Sequence, residues 1–165
     1  MATIPAAALT QSIAALLEEA YAGPPDPSST WFIDNEPDSG ILGILKGVSA
    51  EEASQSVDGS GNPGTTIAAN AEHLRWSLGS ANADLQGETY TGSWKESWEL
   101  IKVNPDEWDR LRTDLRSEYE TLKQTILGLS DLQGDDLMGV LALLPHAAYH
   151  LGTIRQMVER VQEKS

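Results

Sequence analysis

The chain has 165 residues, of which 40% are hydrophobic, and it carries a formal net charge of −14. This length predicts one domain over residues 1–165, and the negative charge argues against nucleic-acid and anionic-membrane partners. The absence of cysteine excludes disulfides, thiolate metal ligands and a protein thiol nucleophile. The apolar N-terminal segment follows no basic residue, and no run of about 18 apolar residues occurs, so we expect no export signal, no membrane span and a cytoplasmic protein.

The first third of the chain predicts one long helix, a loop and a shorter helical segment. Apolar residues recur at helical spacing over residues 7–22, which predicts the first long helix. Residues 23–39 contain four of the eight prolines and are predicted to be a loop. Residues 40–57 are predicted to be helical, with Ser49–Glu52 as a capping box.

Two long helices are predicted in the middle of the chain. Thr65 or Thr66 caps the first, which ends near Leu85, and residues 87–103 form a long connection after it. Residues 104–129 predict the next helix, because Asn104 caps it, Pro105 fits its first turn, and acidic residues follow. Its predicted buried stripe consists of Trp108, Leu111, Leu115, Tyr119, Leu122, Ile126 and Leu129.

A final helix is predicted from about Asp135 to Glu163. It contains Pro145, which bends a helix, and Gly152, which either indicates close approach of a neighbouring helix or is simply tolerated there. Arg155 lies opposite the histidine face and is predicted to be a surface or dimer-contact residue. Four principal helices with almost no strand signal predict an all-α four-helix bundle, with long loops at 23–39 and 87–103.

Four large aromatic residues lie in the two long loops: Trp31, Phe32, Trp94 and Trp98. Two interpretations are open for them. They can roof a pocket, or they can anchor the loops by packing against the end of the bundle.

All three histidines lie in apolar helical segments. His146 and His150 occur in the last helix in the sequence LPHAAYHLGTIRQ, four residues apart. At about 100° per residue, both face the same apolar side, so two imidazoles one turn apart can bind one metal ion. His73 borders the apolar stripe of the second long helix. It lies in a polar row with Asn70, Ser77, Ser80 and Asp84 that lines a cavity or is the ordinary edge of an amphipathic helix.

A shared metal ion would satisfy three imidazoles that are otherwise costly to bury. Three neutral histidines with an open fourth position are typical of catalytic metal sites, so we predict His73, His146 and His150 as metal ligands. A zincin requires glutamate after the first histidine of the pair, where this chain has Ala147. A di-iron carboxylate bundle requires glutamate three residues before a histidine, where this chain has Asn70, Leu143 and Ala147.

The segments TIAANAEHLRWSL and HAAYHLGTIRQ, with the length and helix order, resemble the DinB-like / YfiT-like superfamily of DNA-damage-inducible four-helix-bundle metalloenzymes. The family's metal triad, one histidine on the second helix and a His-x-x-x-His pair on the fourth, falls on His73, His146 and His150. The common family sequence from the last histidine is His-x-Gly-Gln-Ile. This chain departs from it, because Thr153 stands in place of the glutamine. The resemblance implies a divalent transition metal (Zn, Ni, Fe or Mn), a homodimer, and for some relatives thiol-dependent transfer or isomerisation with bacillithiol, mycothiol or glutathione.

Two functions are therefore expected from the sequence. The first is a metal-dependent transferase, isomerase or hydrolase acting on a small molecule, with a low-molecular-weight thiol or water as its nucleophile. No catalytic residue and no general base is assigned. The alternative is a non-catalytic, stress-related helical-bundle binding protein whose metal site is structural or vestigial. An exchangeable metal position with a pocket leading to it favours the enzyme, whereas a fourth protein ligand favours the structural site.

Overall fold

The computed structural model describes residues 4–163, which fold into helices and loops without a strand in that range. Four long helices pack together around one core. They are α1 (Ala6–Ala22), α4 (Ile67–Leu85), α5 (Pro105–Gly128) and α6 (Gly134–Gln162), with short helices α2 (Ile41–Lys46) and α3 (Ala50–Ala53) between α1 and α4. Helices α5 and α6 each contact both α1 and α4, so the four helices form a ring in the order α1, α5, α4, α6. This ring makes α4 and α6 neighbours.

Local sequence signals explain where α4 and α5 begin. The Thr66 side chain accepts a hydrogen bond from the backbone of Ala69 at 3.2 Å and caps α4. Asn104 and Glu107 form a reciprocal capping box at the start of α5, and Pro105 occupies its first turn. These predicted helix starts are confirmed.

The predicted helix over residues 40–57 is wrong as a single element. Helix α2 ends at Lys46, and α3 begins anew at Ala50. The capping box at Ser49 and Glu52 is present, with the Ser49 backbone donating to Glu52 Oε2 at 2.8 Å. Because a capping box satisfies the free N–H groups of a first turn, it marks a helix start and cannot lie inside one continuous helix.

The core contains the apolar faces of all four long helices. Trp108 is 2% exposed, and its indole N–H donates to the carbonyl of Val48 at 2.7 Å. Of the predicted α5 stripe, only Leu129 differs, since it lies just beyond the helix end and is partly buried. Asn82 of α4 is also buried, and its amide donates to the Glu118 carbonyl at 3.0 Å, which joins α4 to α5.

The loop over residues 23–39 is held by two charged side chains. Glu19 of α1 is 2% exposed, and its carboxylate accepts three backbone hydrogen bonds, from residues 31–33, at 2.7–3.2 Å. Arg155 forms an ion pair with Asp34 and donates to the Ser39 carbonyl at 2.7 Å. Arg155 therefore fastens the loop to α6 within the chain, instead of serving only as a free surface residue.

Helix α6 presents part of its apolar surface to solvent. It continues through Pro145. By length and composition alone it could cross a membrane, but one such helix is weak evidence for a membrane span. Only 28% of its most apolar stretch is buried. A Cβ at Gly152 would have no neighbouring atom within 4 Å, so the predicted close approach of another helix at Gly152 does not occur within the described chain.

Candidate metal centre

The packing of α4 against α6 brings the three histidines together. His73 projects from α4, and His146 and His150 project from successive turns of α6. The Nε2 atoms of His73 and His146 are 3.1 Å apart, and one ligand nitrogen from each of the three residues lies within 4.8 Å of the others. His73 and His150 are each 3% exposed, whereas His146 is half-buried. The cluster is therefore reached from solvent on its His146 side.

Asn70 fixes the orientation of His150. The Asn70 amide nitrogen donates to the carbonyls of Gly64 and Thr66 at 3.1 and 3.0 Å, and this assigns Oδ1 as the atom that faces His150. His150 Nδ1 lies 3.0 Å from that oxygen and must carry the proton, because the oxygen can only accept. Nε2 of His150 is left with a lone pair.

Ser97 fixes the orientation of His73 in the same way. The Ser97 hydroxyl donates to the Trp94 carbonyl at 2.7 Å, so its oxygen accepts from His73 Nδ1, also at 2.7 Å. Nε2 of His73 is therefore a second lone-pair nitrogen inside the cluster. Ser97 belongs to the 3₁₀ turn Glu96–Trp98 in the connection after α4, and no sequence pattern singled it out.

His146 has the least constrained tautomer of the three. Its Nδ1 lies 3.4 Å from the Ser77 hydroxyl, and its Nε2 faces the lone pair of His73 Nε2. With a proton on Nε2, His146 donates to His73, and with the proton on Nδ1 it offers a third lone pair to the cluster. A hydroxyl both donates and accepts, so Ser77 can serve either tautomer.

The electrostatics keep the three imidazoles neutral. Burial lowers the pKa of His73 from 6.5 to about 4 and that of His150 to about 3, and the neighbouring imidazoles add to both effects. Burial also lowers the pKa of His146. Metal-ligating histidines must be neutral, so at neutral pH the cluster is in the protonation state that a metal requires.

The chemistry of the three donors, and the spacing of one donor pair, fit a transition-metal ion. Two nitrogens each about 2.05 Å from one ion lie roughly 2.9 Å apart at a right angle and roughly 3.4 Å apart at the tetrahedral angle. The 3.1 Å between His73 and His146 falls in that range. Metal-bound histidines normally donate their other N–H to a protein acceptor, which is what His73 and His150 do here. Within residues 4–163 no acidic side chain joins the three histidines as a fourth ligand.

Aromatic rings enclose the His73 side of the cluster. Trp98 stacks on His73 with ring centres 4.0 Å apart, and Trp94 meets His73 edge-on at 6.3 Å. Trp76 stacks at 5.8 Å, and Tyr149 meets His150 edge-on at 5.1 Å. Of the four loop aromatics, Trp94 and Trp98 lie beside the cluster, whereas Trp31 is 79% exposed.

Three residues of the polar row of α4 line a cavity of about 240 Å³ between α4 and α6. Its walls include Ser77, Ser80 and Asp84 from α4 and Asp136 from α6. Ser77 also contacts His146, so this cavity adjoins the cluster. The cavity interpretation therefore holds for Ser77, Ser80 and Asp84, whereas Asn70 and His73 belong to the histidine cluster. The Thr153 hydroxyl donates to the Tyr149 carbonyl of its own helix at 2.9 Å.

Comparison with protein-family models, with curated proteins and with solved structures finds no match to this chain.

Proposed function

We propose that the protein is a metal-dependent enzyme in which His73, His146 and His150 hold one divalent transition-metal ion (Zn, Ni, Fe or Mn). One observation carries the proposal. Three neutral, buried or half-buried imidazoles converge, and Asn70 and Ser97 hold the N–H groups of two of them on the outside of the cluster. Structural cores bury single histidines, but they gain nothing from turning several lone pairs toward one point.

The arrangement favours a catalytic site over a closed structural one. No acidic side chain of residues 4–163 joins the three histidines as a fourth ligand, and the half-buried His146 leaves the cluster accessible from one side. A bound cation would supply the chemistry of lowering the pKa of water or a thiol. The chain's own residues orient the ligands and exclude water from the His73 side, where Trp98 covers the imidazole.

We also propose membership of the DinB-like / YfiT-like superfamily and a thiol-dependent transfer reaction. The helix order and the positions of the three histidines support the family. With no cysteine in the chain, the thiol must be a small cosubstrate. In such a transfer the thiol sulfur bonds to an electrophilic carbon, the leaving group departs with its electron pair, and the thiol proton passes to solvent. Hydrolysis is the corresponding reaction when water is the nucleophile.

The experiment compares metal-loaded and chelator-treated protein in transferase assays with glutathione, bacillithiol and mycothiol against a panel of electrophiles. We expect metal-loaded wild type to turn over a substrate and to lose that activity when the metal is chelated. We expect His150→Ala to remain inactive when metal is supplied. Thr113→Ala, on the exposed face of α5, is the matched control. Loaded protein that neither transfers a thiol nor hydrolyses any substrate of the panel would favour the non-catalytic alternative.

We also propose that the protein is a homodimer and that it is located in the cytoplasm. Exposed residues of α6 recur every three or four positions and form one apolar face, which we call the α6 stripe: Met138, Leu141, Pro145, Tyr149 and Gly152. Met138 and Tyr149 are 68% and 69% exposed. A two-fold pair of such helices would cover both copies of the stripe, and two-fold dimers are the commonest assemblies.

A further inference from the structure

A chain of hydrogen bonds determines where His146 carries its ring proton in the metal-free cluster. The Ser97 hydroxyl donates to the Trp94 carbonyl at 2.7 Å, so His73 has its single ring proton on Nδ1 and faces the cluster with an Nε2 lone pair. His146 Nε2 lies 3.1 Å from that lone pair. Two lone pairs at this distance repel each other, whereas an N–H and a lone pair form a hydrogen bond of ordinary length. His146 therefore carries its proton on Nε2 and donates to His73.

Ser77 serves the other ring nitrogen of His146. With the proton on Nε2, His146 Nδ1 has a lone pair, and the Ser77 hydroxyl, 3.4 Å away, donates to it. The Ser97 hydroxyl is committed to a carbonyl, but within residues 4–163 the Ser77 hydroxyl has no second partner. Ser77 is half-buried and lines the cavity of about 240 Å³, so its hydroxyl is free to turn from donating to accepting.

Metal binding requires the opposite tautomer of His146. A ring nitrogen that carries a proton has no lone pair for a metal ion, so His73 and His150 are ready to ligate through Nε2 and His146 is not. For His146 to offer Nε2, the proton on that atom must leave to solvent and another must arrive from solvent at Nδ1. The imidazole is neutral before and after this exchange. Solvent reaches His146 because it is half-buried.

We propose, on the basis of the metal function proposed above, that Ser77 is a positioning residue for a tautomer exchange of His146 that accompanies loading of the site. The Ser77 hydroxyl donates to His146 Nδ1 in the metal-free protein and accepts from it in the loaded protein. Ser97 and Asn70 hold the protons of His73 and His150 on Nδ1 in both states. The hydrogen bond from His146 to His73 is therefore the contact that loading must break.

Long-range ¹H–¹⁵N correlation NMR of the full chain at pH 7 tests the exchange, because it distinguishes a protonated ring nitrogen from one with a lone pair. The variants His73→Gln, His146→Gln and His150→Gln assign the three sets of signals. In chelator-treated wild type we expect protons on Nδ1 of His73 and His150 and on Nε2 of His146. After zinc is added, we expect the His146 proton on Nδ1 and the other two protons where they were.

Zinc affinity, measured by competition with a chromophoric chelator, tests the role of Ser77. Ser77→Ala removes the acceptor for the N–H of ligated His146, so zinc affinity should fall about tenfold. Ser80→Ala should leave the affinity unchanged, since Ser80 lines the same cavity but forms no hydrogen bond with a histidine in the described part of the chain. In metal-free Ser77→Ala, His146 should keep its proton on Nε2, because His73 determines it.

Two spectra would contradict the exchange and leave the metal proposal standing. One is a His146 proton on Nδ1 in metal-free wild type, and the other is a His146 proton still on Nε2 after zinc has shifted the signals of His73 and His150. Equal zinc affinity in Ser77→Ala and wild type would overturn the role of Ser77. If zinc changed the signals of no histidine, the metal proposal would fail and the exchange with it.

Discussion

Asn70 determines which nitrogen of His150 faces the cluster. Its amide is fully engaged, since its nitrogen donates to two backbone carbonyls and its oxygen accepts from His150 Nδ1. An Asn70→Leu substitution keeps similar bulk but removes that acceptor. We expect metal affinity to fall by about 10- to 100-fold, as for other lost hydrogen bonds to ligating histidines.

Competition with a chromophoric chelator measures this change, with Asn82→Leu as the matched control. Asn82 is another buried asparagine of α4, but it contacts α5 and no histidine. Its loss should cost stability without a specific loss of affinity per folded chain. Equal affinity in Asn70→Leu and wild type would show that Asn70 does not orient the ligand.

The depressed histidine pKa values predict how stability depends on pH. For metal-free protein, each histidine binds a proton more readily in the unfolded chain, whose pKa is about 6.5, than in the folded one. The depressed pKa values therefore contribute to folding stability, and this contribution is fully present above pH 6.5. It is lost as the pH falls from about 6.5 to about 4, the pKa of folded His73, and to about 3, that of folded His150.

Urea unfolding at pH 7, 5 and 4 measures this loss. Carboxylates also titrate there, so the diagnostic quantity is the difference between wild type and His150→Gln, which lacks one titrating imidazole. As the pH falls, we expect wild type to lose more unfolding free energy than His150→Gln does. A pH-independent difference would contradict the depressed pKa of His150.

The same pKa values determine the pH at which protons compete with a metal ion for the histidines. An ordinary imidazole pKa places the weakening of metal binding below about pH 6. Burial moves this competition to lower pH, toward the pKa of about 4 at His73.

The histidines could be identified from their spacing, but their hydrogen-bond partners could not. Ser97 and Trp98 reach His73 through the fold of a loop that carries no periodic pattern.

At the scale of elements, Glu19 holds the loop over residues 23–39. Its buried carboxylate accepts three backbone N–H groups, so Glu19→Ala leaves three donors without an acceptor. Part of this loop is exposed and water can replace some of the bonds, so we expect a loss of about 2 kcal/mol in unfolding free energy. Chemical denaturation monitored by circular dichroism measures it.

Glu18→Ala is the matched control for this prediction. Glu18 is the adjacent residue and pairs with Lys123 at 2.6 Å, with its side chain 32% exposed. Exposed ion pairs contribute roughly 0–1 kcal/mol, so this variant should be nearly neutral. A loss in Glu18→Ala as large as that in Glu19→Ala would contradict the special role of Glu19.

The elements were predictable wherever a local signal determined them. The caps at Thr66 and Asn104 and the apolar spacing of α5 are short-range features, and each predicted its helix correctly. Residues 40–57 have helical composition throughout, which conceals the break between α2 and α3, and the capping box at Ser49 is the local signal that marks it. The roles of Glu19 and Arg155 depend on contacts 12 or more residues away in sequence, which periodicity does not reveal.

At the scale of the whole molecule, the α6 stripe predicts self-association. We expect light scattering at micromolar concentration to give twice the 17.8 kDa mass of one chain. Tyr149→Glu introduces a charge in the middle of the stripe and should yield monomers, because a buried unpaired charge is costly. Leu127→Glu, at an exposed position of α5, is the control. A wild-type mass of 17.8 kDa would reject the dimer.

Metal content of tag-free protein tests the central claim most directly. We expect elemental analysis to find one divalent transition-metal ion per chain in wild type and in Thr113→Ala. In His150→Ala, loss of one of three ligands should reduce occupancy to below about a tenth of that value. Circular dichroism would establish that His150→Ala remains folded. Equal metal content in folded His150→Ala and wild type would contradict the assignment of the three histidines as ligands.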